Sequence, residues 1–304
     1  GGYSTARLLS ALFGTVSIFF IYLFFSELLN SRKWGLAAAL LLSIETLHLG
    51  LSRVATIDIY AFAFGTASMY AALLYRRSGE EKYLAYFWIL AALAFACKFM
   101  IALALLPLAV LTLHRDVKRS LRYMFAGAVA YLSTYLWALR VFSLSQIASA
   151  ICWSFEYQFL GHRSFGLGAF KLWNYWFGFC PANYVLGDYF TYVIMISYPL
   201  WIPASILLPI TFYFAIERNA FAKYLICSLG ALTLIPCLFL WGYVWYLLPA
   251  VVYVVGVHTL VARSLFEKHV PLGVMYFAII VACALTFLCW AYPLLIGKGY
   301  FAWR

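Results

Sequence analysis

Charge is scarce in this sequence. Only 10% of its 304 residues are Asp, Glu, Lys or Arg, and just 10 residues are acidic. A soluble domain is about a quarter charged and about half apolar. Here 66% of residues are hydrophobic and the mean hydropathy is +0.93, which excludes a water-soluble globular protein. Strict apolar–polar alternation is also missing. The apolar residues come in continuous runs, many of about 18 or more, enough to cross a hydrocarbon core of roughly 30 Å. Only helical bundles and closed barrels can satisfy their backbone groups inside lipid, and a barrel needs the alternation. The fold class read from this is all-α, a polytopic membrane helical bundle. The opening residues lack the basic start and small-residue cleavage site of a signal peptide.

The net charge of +11 would suggest nucleic acid on a soluble protein. In this chain the basic residues concentrate in short loops between apolar runs, which makes them a topology signal and leaves nucleic acid out of the reading. Ten spans are expected, roughly 8–29, 34–50, 57–75, 83–97, 99–113, 122–142, 192–215, 222–240, 244–262 and 271–296. The fourth and fifth are short and separated by Lys98, so they read as half-depth helices or one long bent one. Alternate loops, SRKW (31–34), YRRSGEEK (75–82), HRDVKRSLR (114–122), ERNAFAK (217–223) and ARSLFEKH (262–269), hold most of the 21 Lys and Arg. The positive-inside rule places them in the cytoplasm and both termini outside. An even span count with an outward N-terminus is repaired by one further helix upstream. Three regions follow: a membrane module over 1–142, an outward aromatic loop over 143–191, and a four-helix membrane module over 192–304.

Five of the seven cysteines lie in apolar runs and read as small buried hydrophobes. Cys152 and Cys180 lie in the long loop and could pair if it faces an oxidising space. That loop contains WSFEYQFLGHRSFGLGAFKLWNYWFGF. Trp and Tyr favour the membrane interface, so the segment either seals the bundle or covers a site at the outer surface.

The few charges within apolar runs carry most of the functional information. In LSRVATIDIY (51–60), Thr56 is expected to cap a helix, and Asp58 to complement its positive end. Arg53 reads either as a headgroup-seeking side chain or as an anion ligand. Lys98 stands alone in ALAFACKFMIAL, where an ionisable group is costly and points to a functional site. Two cations at one outward face suit a lipid phosphate, since Arg offers a bidentate fork and Lys a point charge. Glu45 and His48 share a helical face in SIETLHLGLSR, and a carboxylate that deep needs a partner. No cluster of metal-ligand spacing is present.

These residues resemble the phospholipid-carrier-dependent glycosyltransferases of the GT-C class, above all the protein O-mannosyltransferase branch and its prokaryotic relatives. The similarity runs through Arg7, Ser10, Leu12, Phe13 and Gly14, the Ser-Arg-x-x-x-x-Asp pattern of Ser52, Arg53 and Asp58, and the small-residue helix ending at Lys98 with Pro107 beyond. ISYPLWIPASILL resembles a later span of the family, with Tyr198 in place of Asn before Pro199. WGYVWYLLPAVVYVVG resembles another, through Tyr246, Leu248 and Pro249. The long loop lacks the family's His-Pro…Trp-x-Trp-Pro pattern, for which His162, Arg163 and Ser164 are a loose counterpart.

The resemblance implies transfer of a mannose-like hexose from a polyprenyl or dolichyl phosphate to a hydroxyl of a protein Ser/Thr, lipid or glycan. Transfer would occur on the outer face of a plasma membrane, or of the endoplasmic reticulum in a eukaryote, with inversion. Arg53, Asp58, Lys98, His162 and Arg163 become the substrate-binding candidates. The family's main catalytic carboxylate belongs to an acidic loop that would lie upstream of residue 1. Within the chain Glu45, Asp58, Glu156 and Asp188 are the candidates for that role. No cofactor is required, although a divalent ion at the acidic loop would be compatible. A lipid or solute transporter and a catalytically inactive relative remain the alternative readings.

Overall fold

The computed structural model describes residues 2–54, 56–156, 182–186, 190–194, 199–204, 220–240 and 244–295. These residues are overwhelmingly helical. The first helix, α1 (Gly2–Leu28), is apolar almost throughout and ends at Asn30, whose φ of 49° turns the chain back. Ser31 then precedes α2 (Arg32–Ser43), and Glu45 caps α3 (Thr46–Arg53). Helices α4 (Asp58–Ser78) and α5 (Glu81–Cys97) follow, joined by Gly79. With φ at 75°, Gly79 occupies the left-handed position that closes a helix, and its N–H returns to the Tyr75 carbonyl at 2.9 Å. Next come α6 (Ile101–Arg115), α7 (Val117–Ser133), a short 3-10 turn (Leu136–Arg140) and α8 (Leu144–Glu156). Asp116 separates α6 from α7 and accepts the Arg119 N–H at 3.0 Å, a side-chain cap for α7.

Strands β1 (Ala182–Leu186) and β2 (Phe190–Ile194) form an antiparallel hairpin with Tyr184 opposite Tyr192. The expected run 192–215 thus does not start as a helix: residues 190–194 are strand and residues 199–204 helical, within an otherwise helical chain among the described residues. Three helices complete the described chain: α9 (Ala220–Leu240), α10 (Val251–Lys268, preceded by a 3-10 turn over Val244–Ala250) and α11 (Val270–Leu295).

Packing follows the charges. Asp58 of α4 meets Lys98 at the end of α5, so the two helices are antiparallel. At the other end of α4, Arg115 of α6 donates to the Tyr75 carbonyl at 2.7 Å and to that of Arg76. The start of α6 lies at Gly65 of α4, where Ile101 packs. Helices α5 and α6 are therefore an up-and-down hairpin with Lys98 at its tip, not one bent helix. Arg119 and Tyr123 of α7 both reach Glu81 at the start of α5, at 3.2 and 2.8 Å. Arg263 of α10 donates to the Leu29 carbonyl at 2.6 Å, closing the same end of the bundle.

The core joins Phe24, Phe25, Leu42, Leu47, Phe62, Phe87, Trp201 and Tyr253 from both halves of the sequence. Helix α10 is buried on every side over Val251–Leu260, whereas α7 and α11 expose large apolar residues such as Phe125, Leu132 and Ile279. Apolar residues outside as well as inside are what lipid allows and water does not.

Three helices among the described residues are long and apolar enough to cross a membrane: 4–28, 247–268 and 270–289. A fourth crossing arises if α2 and α3 count together, bent by 63°. Among the described residues the ten spans expected from hydropathy are thus not reached. Run 34–50 breaks at Glu45, run 122–142 ends as α-helix at Ser133, and α6, matching run 99–113, falls among the shorter apolar helices.

Candidate functional site

At the end of the bundle where α3 stops, the link 54–57 turns into α4 and leaves Asp58 in its first helical turn. Asp58 is only 9% exposed, and its Oδ1 lies 3.2 Å from Lys98 Nζ. Lys98 is extended (φ −156°, ψ 116°) between two helices, which lets its side chain reach sideways to α4. The helix breaks there because three residues, Lys98 to Met100, form a turn before α6 begins. A void of about 10 Å³ sits beside the pair, bordered by Phe62, Ile101, Leu248 and Pro249. That volume holds about one water molecule. The structure thus unites Asp58, Lys98 and the late Leu248–Pro249 step, which lie far apart in the sequence.

Arg53 is the last residue of α3 and is half-buried. It forms no ion pair among the described residues. Asp58 pairs with Lys98 and not with Arg53. Thr56 does not cap α4: Ile57 takes the capping position, and the Thr56 hydroxyl is buried without a hydrogen-bond partner.

The wall beneath this site is built by the Arg7–Gly14 and Ser52–Asp58 patterns together. A Cβ on Gly14 would collide with Ser52 Oγ and come within 2.7 Å of Ser52 Cβ, so only glycine lets α1 and α3 approach this closely. Ser10 donates to the Tyr60 hydroxyl at 3.2 Å, and Phe13 packs edge-on against Tyr60 at 4.8 Å. Ser17 donates to the Gly14 carbonyl at 2.7 Å, so its oxygen accepts from His48 Nε2 at 2.8 Å. That assigns the proton to Nε2 and leaves Nδ1 as a buried acceptor with no partner.

Glu45 is fully buried. One carboxylate oxygen caps α3 by accepting the His48 N–H at 2.7 Å, and the other accepts the Trp201 indole N–H at 3.0 Å. It therefore ties the α2–α3 break to the C-terminal half, an arrangement the sequence did not indicate because Trp201 lies 156 residues away. A second such tie is His258, whose ring bonds the Leu200 carbonyl at 2.7 Å and the Tyr276 hydroxyl at 2.8 Å.

A groove of about 520 Å³ opens between α5, α6 and α7, lined by Trp88, Phe95, Leu105, Leu106, Met124 and Tyr131 among other apolar residues. Its lining includes Phe95 and Ala102, three residues before and four after Lys98 in the sequence, while Lys98 itself borders the smaller void beside Asp58. Of the other candidates, His162, Arg163 and Asp188 lie outside the described residues, as does the Glu156 side chain. Cys152 is a free, exposed thiol, and Cys180 lies outside the described residues. Among the described residues no three His, Cys, Asp or Glu side chains gather as metal ligands.

No curated protein matches the chain. The dolichyl-phosphate-mannose-protein mannosyltransferase family matches residues 3–147, a stretch that contains α1 to α7 and with them Arg53, Asp58 and Lys98. Across that segment, a little under half of the chain, the sequence is similar to the mannosyltransferases of that family.

Proposed function

We propose that this chain is the membrane portion of a glycosyltransferase that moves a mannose-like hexose from a polyprenyl phosphate to an acceptor hydroxyl on the outer membrane face. The observation that carries the reading is the Asp58–Lys98 pair, set inside the family-matched segment at the break between α5 and α6, the two helices that also border an apolar groove. A lipid-linked phosphate needs both features: a cation for its head and a greasy wall for its tail. Lys98 and Arg53 bind the phosphate, and the groove between α5, α6 and α7 takes the first isoprene units. Asp58 holds Lys98 in place, and exchanges it for the phosphate as the donor arrives.

In the reaction the acceptor oxygen forms a bond to the anomeric carbon as the bond from that carbon to the phosphate oxygen breaks. The electron pair leaves with the phosphate, whose growing charge Lys98 and Arg53 stabilise. Well-placed groups of this kind contribute about 3–4 kcal/mol each. A carboxylate takes the hydroxyl proton. Asp58 and Glu45 are committed to Lys98 and to the α3 cap, so the resemblance assigns that base to the family's acidic loop, which precedes the helix matching α1. Phosphate leaves readily without a general acid.

The reading is tested by reconstituting the full-length protein with labelled dolichyl-phosphate mannose or labelled GDP-mannose and a Ser/Thr-rich acceptor peptide. Transfer from the lipid donor alone is expected. Transfer directly from the nucleotide sugar would overturn the donor assignment.

A further inference from the structure

The other end of α4 carries a second pocket that glycosyl transfer does not use. Helix α4 has 21 residues, so this pocket lies about 30 Å from Asp58 along the helix axis. It has a volume of about 470 Å³, the size of a small-ligand site, and is bordered by Glu27, Asn30, Leu73, Arg76, Arg77 and Phe221. The pocket is built from three helices: the end of α1, the last turn of α4 and the first turn of α9.

Its two guanidinium groups are not equivalent. Arg77 Nη1 is held by the Glu27 carboxylate, at 3.0 and 3.2 Å from its two oxygens. Arg76 forms no ion pair among the described residues and instead lies over the Phe221 ring, 3.5 Å from its centroid. A guanidinium stacked on an aromatic face keeps its N–H fork in a plane and free to bond at the edge. Among the described residues the pocket therefore has one net positive charge, an oriented donor fork, a polar rim at Asn30 and apolar sides at Leu73 and Phe221. The neighbouring Arg115 is not part of it, since its guanidinium is spent on the Tyr75 and Arg76 carbonyls.

We infer that this pocket binds a phosphate-bearing anion, either the headgroup of an anionic phospholipid or a free phosphate ester, with Arg76 as its principal ligand and Arg77 as a second one restrained by Glu27. Basic pockets between helices at the membrane surface recognise lipid phosphates in this way. The fork of Arg76 matches two phosphate oxygens, and the apolar sides accept the glycerol and first methylenes of a lipid.

The test uses the purified full chain in detergent, titrated with dioctanoyl-phosphatidylglycerol, dioctanoyl-phosphatidylcholine or glycerol phosphate, with bound ligand read by native mass spectrometry. The phosphatidylglycerol is expected to bind more tightly than the phosphatidylcholine, and Arg76→Gln to weaken it by about fivefold, the effect of one surface cation on an anionic lipid. Glu27→Gln, which releases Arg77, is expected to tighten it severalfold. A folding defect would not produce that gain. Glycerol phosphate binding as tightly as the phosphatidylglycerol, with the same dependence on Arg76, would assign the pocket to a free phosphate ester. Equal affinity for both lipids, or affinities unmoved by Arg76→Gln and Glu27→Gln, would overturn the inference.

Discussion

Neutralising Asp58 removes the carboxylate that Lys98 pairs with at a site almost closed to water. At 3.2 Å, two unit charges attract by about 5 kcal/mol at an effective dielectric of about 20. Much of that is cancelled by the cost of desolvating both groups. The side chains keep 11% and 18% of their exposure, so the net coupling falls below that of a fully closed pair, at about 1–3 kcal/mol. Asp58→Asn and Lys98→Met are each expected to lower the unfolding midpoint in detergent by several degrees. The double variant should lose less than the sum, because the Asp58–Lys98 attraction is lost only once. The assay is a double-mutant cycle read by thermal unfolding, with protease sensitivity as an independent probe. Strict additivity of the two losses would refute the coupling, and with it the role of Asp58 in holding Lys98.

Other outcomes follow from the same contacts. Gly14→Ala would gain up to about 1 kcal/mol on an open helix face. Here the collision with Ser52 costs about 1–3 kcal/mol and sets the sign, so the variant is destabilised, and pairing it with Ser52→Gly should make the alanine neutral or favourable. Glu45→Ala removes the α3 cap and the carboxylate that accepts the Trp201 N–H, together about 2–4 kcal/mol, whereas Glu45→Gln should keep mannosyl transfer measurable in the reconstituted assay. His258→Leu leaves the Leu200 carbonyl and Tyr276 hydroxyl unpaired and should destabilise the fold more than Tyr276→Phe, as read by denaturant midpoints.

Much of the first half was legible because its signals are local. A long apolar run, a basic turn and a second run define α1 and α2, and Gly79 after Arg77 marks a helix end. Lys98 within an apolar stretch marked a break between two helices. What the sequence hid was tertiary. The run 34–50 is apolar on both sides of Glu45, so nothing local announced a 63° bend. The need for it becomes visible only when the Trp201 indole arrives at the Glu45 carboxylate. Thr56 looked like a cap by type, yet Ile57 holds that position and the hydroxyl points elsewhere. Asp58 could have served either nearby cation, and only the turn of the α5–α6 hairpin shows that Lys98 is the one it meets. The hairpin at 182–194 was unreadable among aromatic residues, which suit a strand and a membrane interface equally well.

The claim that a lipid-linked phosphate sits between Arg53 and Lys98 is tested most directly by equilibrium binding. Dolichyl phosphate would be titrated into the full-length protein and into its Arg53→Ala and Lys98→Ala variants, in detergent. A charged hydrogen bond contributes about 1.5–3 kcal/mol, so each variant should lose roughly ten- to a hundredfold in affinity. Unchanged affinity in both folded variants would contradict the account and move the phosphate elsewhere.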